Sequence, residues 1–561
     1  MNKLFFCKNL KTNTVVFILL LLIMFLAFFL RFNKVTEIPP ALNWDEISIG
    51  YNAYSILKTG HDEWSVLLPI HFKAYGEYKL PAQIYASIPG IAIFGLNELG
   101  VRITPVIYGT LTIFFVFFLG RTIFQSSFVG LGAALFLAIS PWHIHLTRAS
   151  FESSFAVFWL SLAILLLVKG FKDHKWIIWS MIPFAISVYT YNSARVFTPL
   201  FLAAIFIIYG KTWLKIKKTV VLAGLVFFAL MLPLVPHFFS GERNARYKLV
   251  SVTDEPGLVP RINQNRGNST LPQPLPRLIH NKATYISYYT IHNYFTHFSP
   301  EFLFLSGASH KQHHVQNIGE LYLFQAPLLG LGLYYLFKKK NQFRWLLSAW
   351  VLLAFIPVSV TNDSIPHALR TLIAVPFYQL VSAFGGYQIY LWLKRRNSYL
   401  KAFSAIIVAA IVIISVIPYL SSYYNSYPRL YSRDWQYGNK QVVEYIAKHQ
   451  DEYDLIVFTR HFGEPHMFTL FYLNYDPYKY QNDPNLIRFE TFDWVRVLKF
   501  DKFYFPDLGD KGTRFEDITD QNPGKKILFI GKQGDFPDYT TRLDVFNFLN
   551  GDVAFELVEN K

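Results

Sequence analysis

Apolar residues are gathered into long runs that are separated by short polar and basic segments. The first run, VVFILLLLIMFLAFFL at residues 15–30, follows Lys3, Lys8 and Lys11 and lacks a small-residue cleavage site behind it. This is typical of an uncleaved first span rather than a signal peptide. Ten further runs approach the roughly 20 residues needed to cross a bilayer. They lie at 103–120, 128–146, 153–168, 176–190, 196–210, 219–236, 320–337, 344–360, 367–393 and 402–420, and the pattern therefore predicts about eleven transmembrane helices.

Residues 81–96 (PAQIYASIPGIAIFGL) are apolar but are interrupted by Pro89 and Gly90. As a helix this segment would be only about 24 Å long, which is short for a span. If it does not cross the membrane, the basic clusters between the other runs all lie on one side, as the positive-inside rule requires. Those clusters lie at 169–175, 211–218, 338–344 and 394–401. We therefore predict a juxtamembrane or re-entrant element on the outer face.

This topology places three large segments outside, namely residues 32–102, residues 237–319 and the tail from residue 421. The tail carries charged residues throughout, with a helix predicted at QVVEYIAKH and strands at DLIVFT, KILFIG and VAFELV. About 140 residues of this kind can bury a core of their own. We predict an all-α polytopic membrane bundle with juxtamembrane helices over 1–420 and a small extracytoplasmic α/β domain over 421–561.

The composition agrees with a membrane protein. Of the 561 residues, 52% are hydrophobic and only 16% are charged, against about 25% charged in soluble domains. The net charge of +16 could indicate a nucleic-acid partner, but the basic residues cluster between apolar runs, where they set orientation. We therefore expect a lipid bilayer and no nucleic acid. The single cysteine, Cys7, excludes an internal disulfide framework and a Cys-rich metal site.

The strongest local signal is Asn43-Trp44-Asp45-Glu46, a dozen residues beyond the first span. Two adjacent carboxylates close to a membrane are costly unless they are solvated, paired or used. Adjacent residues do not share a helix face, so one carboxylate can meet a substrate while structure holds the other. Taken alone, such a pair is more often ordinary surface.

Other polar residues are predicted on the same outer face. Lys79, in Gly76-Glu77-Tyr78-Lys79, would reach headgroup depth and could meet a lipid phosphate, although a snorkelling lysine is the simpler interpretation. Together with carboxylates and aromatic residues, such cations suit a pocket for a lipid-linked, phosphorylated ligand. The further candidates are Glu63, His145, Glu152, Arg277 and Arg370.

Three histidines within five residues, His310, His313 and His314, raise the question of a metal. No neighbouring carboxylate has convincing ligand spacing. The spacing therefore argues against a metal at these histidines, and we expect no cofactor.

The order of NWDE, GHDEW, GEYKLP, FGLNELGVR, SPWHIHLTRASFE, YTYNSAR, PHALR and WQYGNKQVVEYI resembles bacterial GT-C glycosyltransferases of the protein-mannosyltransferase-like superfamily. That superfamily includes protein O-mannosyltransferases and lipid A aminoarabinose transferases, and the likeness covers roughly residues 10–425. The resemblance implies transfer of a hexose or pentose from a polyprenyl-phosphate donor to an acceptor on the extracytoplasmic face, generally with inversion. It implies a multi-pass protein of a bacterial-type plasma membrane, without a metal.

The resemblance also implies roles for individual residues. Asp45 resembles the catalytic carboxylate, Glu46 its partner in positioning acceptor or base, and Lys79 the phosphate-binding lysine, with Tyr78 intervening in a spacing that is usually tighter. Lys79 and Arg370, with Arg277 in reserve, would meet the charge that develops on the leaving phosphate. The residues proposed to bind sugar hydroxyls or to line the donor site are Glu63, Glu77, Tyr78, His145 and Glu152.

Two alternatives stay open. A flippase or transporter for a lipid-linked saccharide would normally place charges near the bilayer midplane in paired halves, whereas here the charges gather at outer helix ends. A ligase that moves whole glycans from a diphosphate carrier shares the carrier chemistry, and sequence separates it poorly. The sequence also leaves open whether the acceptor is protein, lipid or glycan.

Overall fold

The computed structural model describes residues 2–236, 250–490, 494–509 and 512–560, and for residues 2–12 the backbone only. Close contacts divide the chain into two compact units. The first unit comprises residues up to 33, 105–147 and 151–420; the second comprises 34–104, 148–150 and 421–561. The second unit thus joins the tail to a segment that the sequence-based division kept with the membrane part.

The structure is mainly helical. In chain order the α-helices are α1 (Asn2–Phe32), α2 (Trp44–Thr59), α3 (Pro81–Phe94), α4 (Glu98–Phe124), α5 (Ser127–Ile139), α6 (Pro141–Leu146), α7 (Glu152–Gly170), α8 (Lys175–Val188), α9 (Asn192–Trp213), α10 (Lys217–Met231), α11 (Leu258–Gly267), α12 (Leu275–Ile279), α13 (Lys282–Thr296), α14 (Gln325–Lys338), α15 (Arg344–Ala354), α16 (Ile356–Ser359), α17 (Ala368–Thr371), α18 (Val375–Leu393), α19 (Ser398–Ser421), α20 (Tyr427–Leu430), α21 (Asn439–His449), α22 (Pro465–Tyr472), α23 (Pro477–Gln481) and α24 (Phe515–Gln521). Short 3₁₀ segments lie at Leu214–Ile216, Leu232–Leu234, Val252–Asp254, Leu372–Ala374 and Gln450–Glu452, and π segments at Glu301–Leu305 and Ser422–Ser426. The strands are β1 (Phe72–Ala74), β2 (Glu77–Lys79), β3 (Leu455–Phe458), β4 (Ile487–Glu490), β5 (Val495–Phe500), β6 (Phe503–Tyr504), β7 (Ile527–Gly531), β8 (Arg542–Asn547) and β9 (Val553–Glu559).

Each of the eleven apolar runs contains an α-helix. Among the described residues, six segments are long and apolar enough to cross a membrane, and four apolar helices are shorter. The six are Asn13–Phe32, Glu98–Phe124, Glu152–Gly170, Asn192–Leu234, Ala368–Leu393 and Ser398–Leu430. The chain is therefore a multi-pass membrane protein, and the count of about eleven spans is not confirmed.

Part of the difference in number comes from α9 and α10. The structure joins them through the 3₁₀ turn at Leu214–Ile216 into one helical segment of 43 residues. Such a segment measures about 65 Å at 1.5 Å per residue, roughly twice the thickness of a bilayer core. The turn lies among Lys211, Lys215, Lys217 and Lys218, so the length and the charges both suit two crossings.

The segment 81–96 forms the single helix α3, which has 14 residues and contains Pro89. It belongs to the apolar helices that fall short of spanning length, as the sequence indicated. The predicted outer segment 237–319 starts with residues 237–249, which lie outside the described residues.

Within the first unit, two helices pack at backbone contact. A Cβ atom added to Gly385 of α18 would lie 1.9 Å from the carbonyl oxygen of Leu328 on α14, and one added to Gly332 of α14 would lie 2.0 Å from that of Val381. Small residues at such positions let helices approach without a hydrophobic driving force, as in membrane bundles.

The tail folds as the sequence predicted in its regular elements. The helix and three strands expected there correspond to α21, β3, β7 and β9. The strands form part of a seven-stranded sheet of order β4-β5-β6-β3-β7-β9-β8, in which β3 pairs in parallel with both β6 and β7. Helix α2 packs into the same core at Gly50, where an added Cβ would lie 2.6 Å from the ring of Phe471 on α22.

We expect Gly385→Ala to lower stability by about 1–3 kcal/mol, because the new methyl group overlaps the backbone of α14. The adjacent Gly386→Ala is the matched control, since no atom lies within 4 Å of its added Cβ. The control should be neutral or slightly stabilising, because alanine favours helix. Thermal unfolding in detergent measures both, and equal midpoints for the two variants would contradict the close contact.

Candidate active site

The Asp45-Glu46 pair lies in the first turn of α2, whose start is fixed by a capping box. The side-chain oxygen of Asn43 accepts a hydrogen bond from Glu46 N at 3.0 Å, and Glu46 Oε2 accepts one from Asn43 N at 3.3 Å. This reciprocal arrangement satisfies two backbone donors that a helix start leaves open. The helix dipole also favours negative charge in this turn.

Glu46 is completely buried and serves the structure. Its two carboxylate oxygens accept hydrogen bonds from Arg102 Nε and Nη2, each at 2.9 Å. The backbone N–H of Ser150 donates a further bond to Oε1 at 3.0 Å. A bidentate guanidinium pair of this kind fixes both distance and orientation, and it leaves Glu46 little capacity for a substrate.

Asp45 faces differently and is partly exposed, with 31% of its side chain accessible. Its Oδ1 atom lies 2.5 Å from the ammonium nitrogen of Lys79. Lys79 also contacts Glu77 at 3.5 Å, and its own side chain is only 1% exposed. The ammonium is therefore a buried cation shared by two partly exposed carboxylates, of which Asp45 is the more accessible.

A short hairpin holds Lys79 in this place. Strands β1 and β2 pair antiparallel, with Phe72 opposite Lys79. At the turn Tyr75 has a φ of 39°, and its hydroxyl donates to the carbonyl of Trp44 at 2.9 Å. The hairpin thus ties the lysine to the residue that precedes Asp45.

Glu63 and Tyr78, two other predicted site residues, belong to the same unit. Glu63 is buried, and its carboxylate accepts a hydrogen bond from Asn52 Nδ2 at 3.1 Å. Asn52 Oδ1 in turn accepts from the backbone N–H of Glu63 at 3.1 Å. This reciprocal pair joins the loop after α2 to the helix itself, whereas Tyr78 lies half-buried on β2.

The structure adds residues that sequence reasoning missed. Gln436 Oε1 accepts a hydrogen bond from Trp44 N at 2.8 Å, and Trp494 lies with its ring centroid 6.0 Å from that of Trp44. Trp494 Nε1 donates to Glu464 Oε1 at 2.5 Å. These residues come from the tail, about 400 positions away in sequence, and no local motif indicated their meeting with Trp44.

The other predicted site residues belong to the first unit. Arg370 is buried, donates to Thr361 Oγ1 at 2.8 Å and pairs with Asp363 at 2.6 Å. His145 Nε2 lies 2.7 Å from the carbonyl oxygen of Gln312. Glu152 is the first residue of α7, and Arg277 is an exposed residue of α12.

The three neighbouring histidines make different contacts. His310 and His313 stack with centroids 3.8 Å apart, and His367 lies 5.0 Å from His313. His314 instead contacts Glu320 at 3.0 Å. Among the described residues no group of three or more His, Cys, Asp or Glu side chains is arranged to hold a metal ion.

Two buried glutamates in the second unit titrate near neutral pH. Burial is the main cause that raises the pKa of Glu63 to about 7, and it does the same for Glu464. Burial, followed by the charges of Glu63, Glu464 and Asp45, raises the pKa of Tyr75 well above 10. The charges of these three carboxylates therefore oppose ionisation of the Tyr75 hydroxyl.

We expect wild-type stability to fall as the pH rises from about 4.5 to about 7. In that range the folded protein still holds protons on Glu63 and Glu464 that the unfolded chain releases, which is worth up to about 3 kcal/mol per group. Glu464→Gln should raise the thermal midpoint at pH 8 and leave that at pH 5 unchanged. The exposed Glu444→Gln is the control; parallel curves for Glu464→Gln and wild type would contradict the burial effect.

Comparison with known proteins gives a partial match to one family and a shared fold. The sequence model of the family described as dolichyl-phosphate-mannose-protein mannosyltransferase matches residues 83–237. Two solved structures share the fold: ArnT from Cupriavidus metallidurans, bound to undecaprenyl phosphate, and the oligosaccharyltransferase AglB from Archaeoglobus fulgidus, in complex with an inhibitory peptide and a dolichol-phosphate. No curated protein sequence matches the chain.

The likeness to ArnT covers 98% of each chain, at 11% identity and a TM-score of 0.53. The likeness to AglB covers 82% of this chain but 64% of the archaeal one, less than two thirds of its length, at 14% identity and a TM-score of 0.50. At such identities the likeness concerns the fold. The family model thus matches part of the membrane region, and the two solved structures show that the chain shares their fold.

Proposed function

We propose that this protein transfers a single hexose or pentose from a polyprenyl-phosphate donor to an acceptor hydroxyl, with inversion at the anomeric carbon. The reaction would take place on the extracytoplasmic face of a bacterial-type plasma membrane. The observation that carries the proposal is the contact of 2.5 Å between Asp45, which is partly exposed, and the buried ammonium of Lys79. This contact places the proposed base, Asp45, directly beside the cation of Lys79.

In the proposed reaction the acceptor oxygen forms a bond to the anomeric carbon, and the bond from that carbon to the phosphate oxygen breaks. Asp45 takes the proton of the attacking hydroxyl, and the electron pair of the broken bond stays on the polyprenyl phosphate. A positioned base of this kind contributes roughly 10²- to 10⁴-fold. Glu46 supports the step by holding the first turn of α2 against Arg102.

Lys79 would serve both ends of the reaction in turn. Without donor, its ammonium neutralises Asp45 and Glu77. A donor phosphate that approaches the same ammonium offers a second anion, and a buried cation retains a counter-ion in either state. We infer that Lys79 shifts towards the phosphate when donor binds, so that Asp45 becomes available to the acceptor.

Other residues support the proposal to a lesser degree. Arg370 would add positive charge for the phosphate, with Arg277 in reserve, and no divalent cation or cofactor is part of the proposed reaction. Glu63, Glu77, Tyr78, His145 and Glu152 stay as proposed contacts to the sugar or the donor. The partners would be the lipid donor, the bilayer and an acceptor protein, lipid or glycan.

Asp45→Asn should reduce sugar transfer by at least about 10²-fold, because an amide cannot take the proton. The measurement is turnover of undecaprenyl-phosphate-linked mannose, glucose, galactose and arabinose by purified protein. Asp538→Asn, an exposed carboxylate of the same unit, is the matched control and should keep wild-type turnover. Unchanged transfer by a folded Asp45→Asn protein would remove Asp45 as the base.

Lys79→Met should weaken binding of undecaprenyl phosphate by about 10- to 100-fold, the usual size of a lost charged contact. Lys73→Met is the control on the same hairpin, since that ammonium pairs with Glu490 instead. Isothermal titration in detergent gives both affinities. If Lys79→Met binds the lipid as tightly as wild type but turns over slowly, Lys79 acts only by positioning Asp45.

A further inference from the structure

Trp494 combines partial exposure with an unusually complete set of fixed contacts. Its indole nitrogen donates to Glu464 at 2.5 Å, and the next backbone N–H, that of Val495, donates to the carbonyl of Tyr75 at 2.7 Å. The ring stacks on that of Tyr75, with 6.0 Å between centroids and 16° between planes. Trp494 as a whole is half-buried.

Trp44 forms the second half of this surface. Its ring centroid lies 6.0 Å from that of Trp494 at an interplanar angle of 56°, and the side chain is also partly exposed. Asp45 follows Trp44 in the same turn of α2, and Tyr75, on which Trp494 stacks, donates a hydrogen bond from its hydroxyl to the carbonyl of Trp44. The two indoles thus belong to the same small region as the proposed base, and aromatic rings with a few polar groups are the usual composition of a small-molecule site.

The backbone around Glu464 is built to hold this arrangement. Gly463 has a φ of 123°, and a Cβ added there would lie 2.2 Å from Gln436 Nε2 and 3.1 Å from the ring of Trp44. Gln436 Nε2 donates to the carbonyl of Phe462 at 2.8 Å. The segment before Glu464 can therefore lie against Trp44 only without a side chain at position 463.

Glu464 itself is buried and acts through Trp494. One carboxylate oxygen accepts the indole N–H, and the other lies 3.5 Å from His466 Nδ1 without a hydrogen bond among the described residues. Fixing the indole before a ligand arrives removes the ordering cost from binding.

We propose that Trp494 and Trp44 form the platform on which a sugar ring of the substrate packs, with Glu464 as the residue that positions Trp494. The proposal rests on the function proposed above, which brings a sugar to Asp45. The apolar C–H face of a pyranose or furanose suits an indole face, while the ring hydroxyls can reach Asp45. The sugar could belong to the donor or to a glycan acceptor.

Trp494→Leu should raise KM for the sugar-bearing substrate about ten-fold, the size of a lost aromatic contact, and change kcat less than about three-fold. Tyr539→Leu, which removes a 72% exposed aromatic residue of the same unit, is the matched control and should leave both constants unchanged. KM is measured with the undecaprenyl-phosphate sugar that wild type turns over.

Two assays distinguish the source of the sugar. Hydrolysis of the donor without acceptor reports donor KM, and transfer at saturating donor reports acceptor KM. A rise in either one with Trp494→Leu supports the platform and names its occupant. Donor and acceptor KM values that both stay within two-fold of wild type overturn it.

Glu464 provides a test that leaves the indole in place. Glu464→Leu should raise KM about as much as Trp494→Leu does, whereas Glu464→Gln keeps an oxygen acceptor and should restore the wild-type value. Equal KM values for both folded variants overturn the positioning role. If Trp494→Leu does not fold, as judged by its thermal unfolding, this pair decides the proposal.

The design separates this inference from the function on which it rests. A wild-type protein that neither hydrolyses nor transfers any of the four lipid-linked sugars overturns the proposed function and the platform with it. A wild-type protein that is active, with variants that keep its KM, overturns the platform alone.

Discussion

The ion pair between Arg102 and Glu46 is the interaction on which the candidate site depends. All five N–H donors of the guanidinium are used: two bind the carboxylate of Glu46, and three bind the carbonyl oxygens of Val35, Pro39 and Ala41. Both charged side chains are fully buried. Removing one partner from such a pair leaves an uncompensated buried charge, which costs about 3–5 kcal/mol. The pair therefore holds residues 35–41, which lead into α2, against the first turn of that helix.

This ion pair explains why the two adjacent carboxylates differ in burial and in hydrogen-bond partners. Glu46 points inwards, where Arg102 and the N–H of Ser150 occupy its oxygens. Asp45, one residue earlier, is rotated by about 100° around the helix and keeps part of its side chain in solvent. Its only strong partner among the contacts described is Lys79, which a substrate anion can share. Glu46, held rigidly, thus fixes the position of Asp45 without occupying its carboxylate.

The sequence predicted the helices and strands better than the contacts between them. Apolar runs located the helices, and alternating short runs in the tail located α21, β3, β7 and β9, because periodic burial is a local property of the chain. The adjacency of Asp45 and Glu46 in sequence also predicted that structure could hold one of them while the other stays accessible, and the structure buries Glu46. Arg102 was placed in the outer segment, but its pairing with Glu46 was not predicted, because the two residues lie 56 positions apart.

The contacts that the sequence did not predict join residues that lie far apart along the chain. Trp494 and Glu464 carry no motif, and Gln436 lies 392 positions from Trp44. Local patterns cannot report such pairs, because the contacts exist only after the sheet and α2 share a core. The sequence-based division at residue 420 rests on a change in composition. In the structure, residues 34–104 pack with the tail, because buried side chains of both segments share one core.

The tail therefore contributes residues that hold the candidate site in place. A helix start leaves its first backbone N–H groups without partners, and Gln436 of the tail accepts the one from Trp44. The core that supports α2 includes Phe471 and Phe468 of α22, both buried. Without the tail, α2 would expose Ile47 and Tyr51, which are buried in the same core, and the N–H of Trp44 would lose its acceptor. The position of Asp45 is thus determined jointly by the segment after the first span and by residues that follow the last.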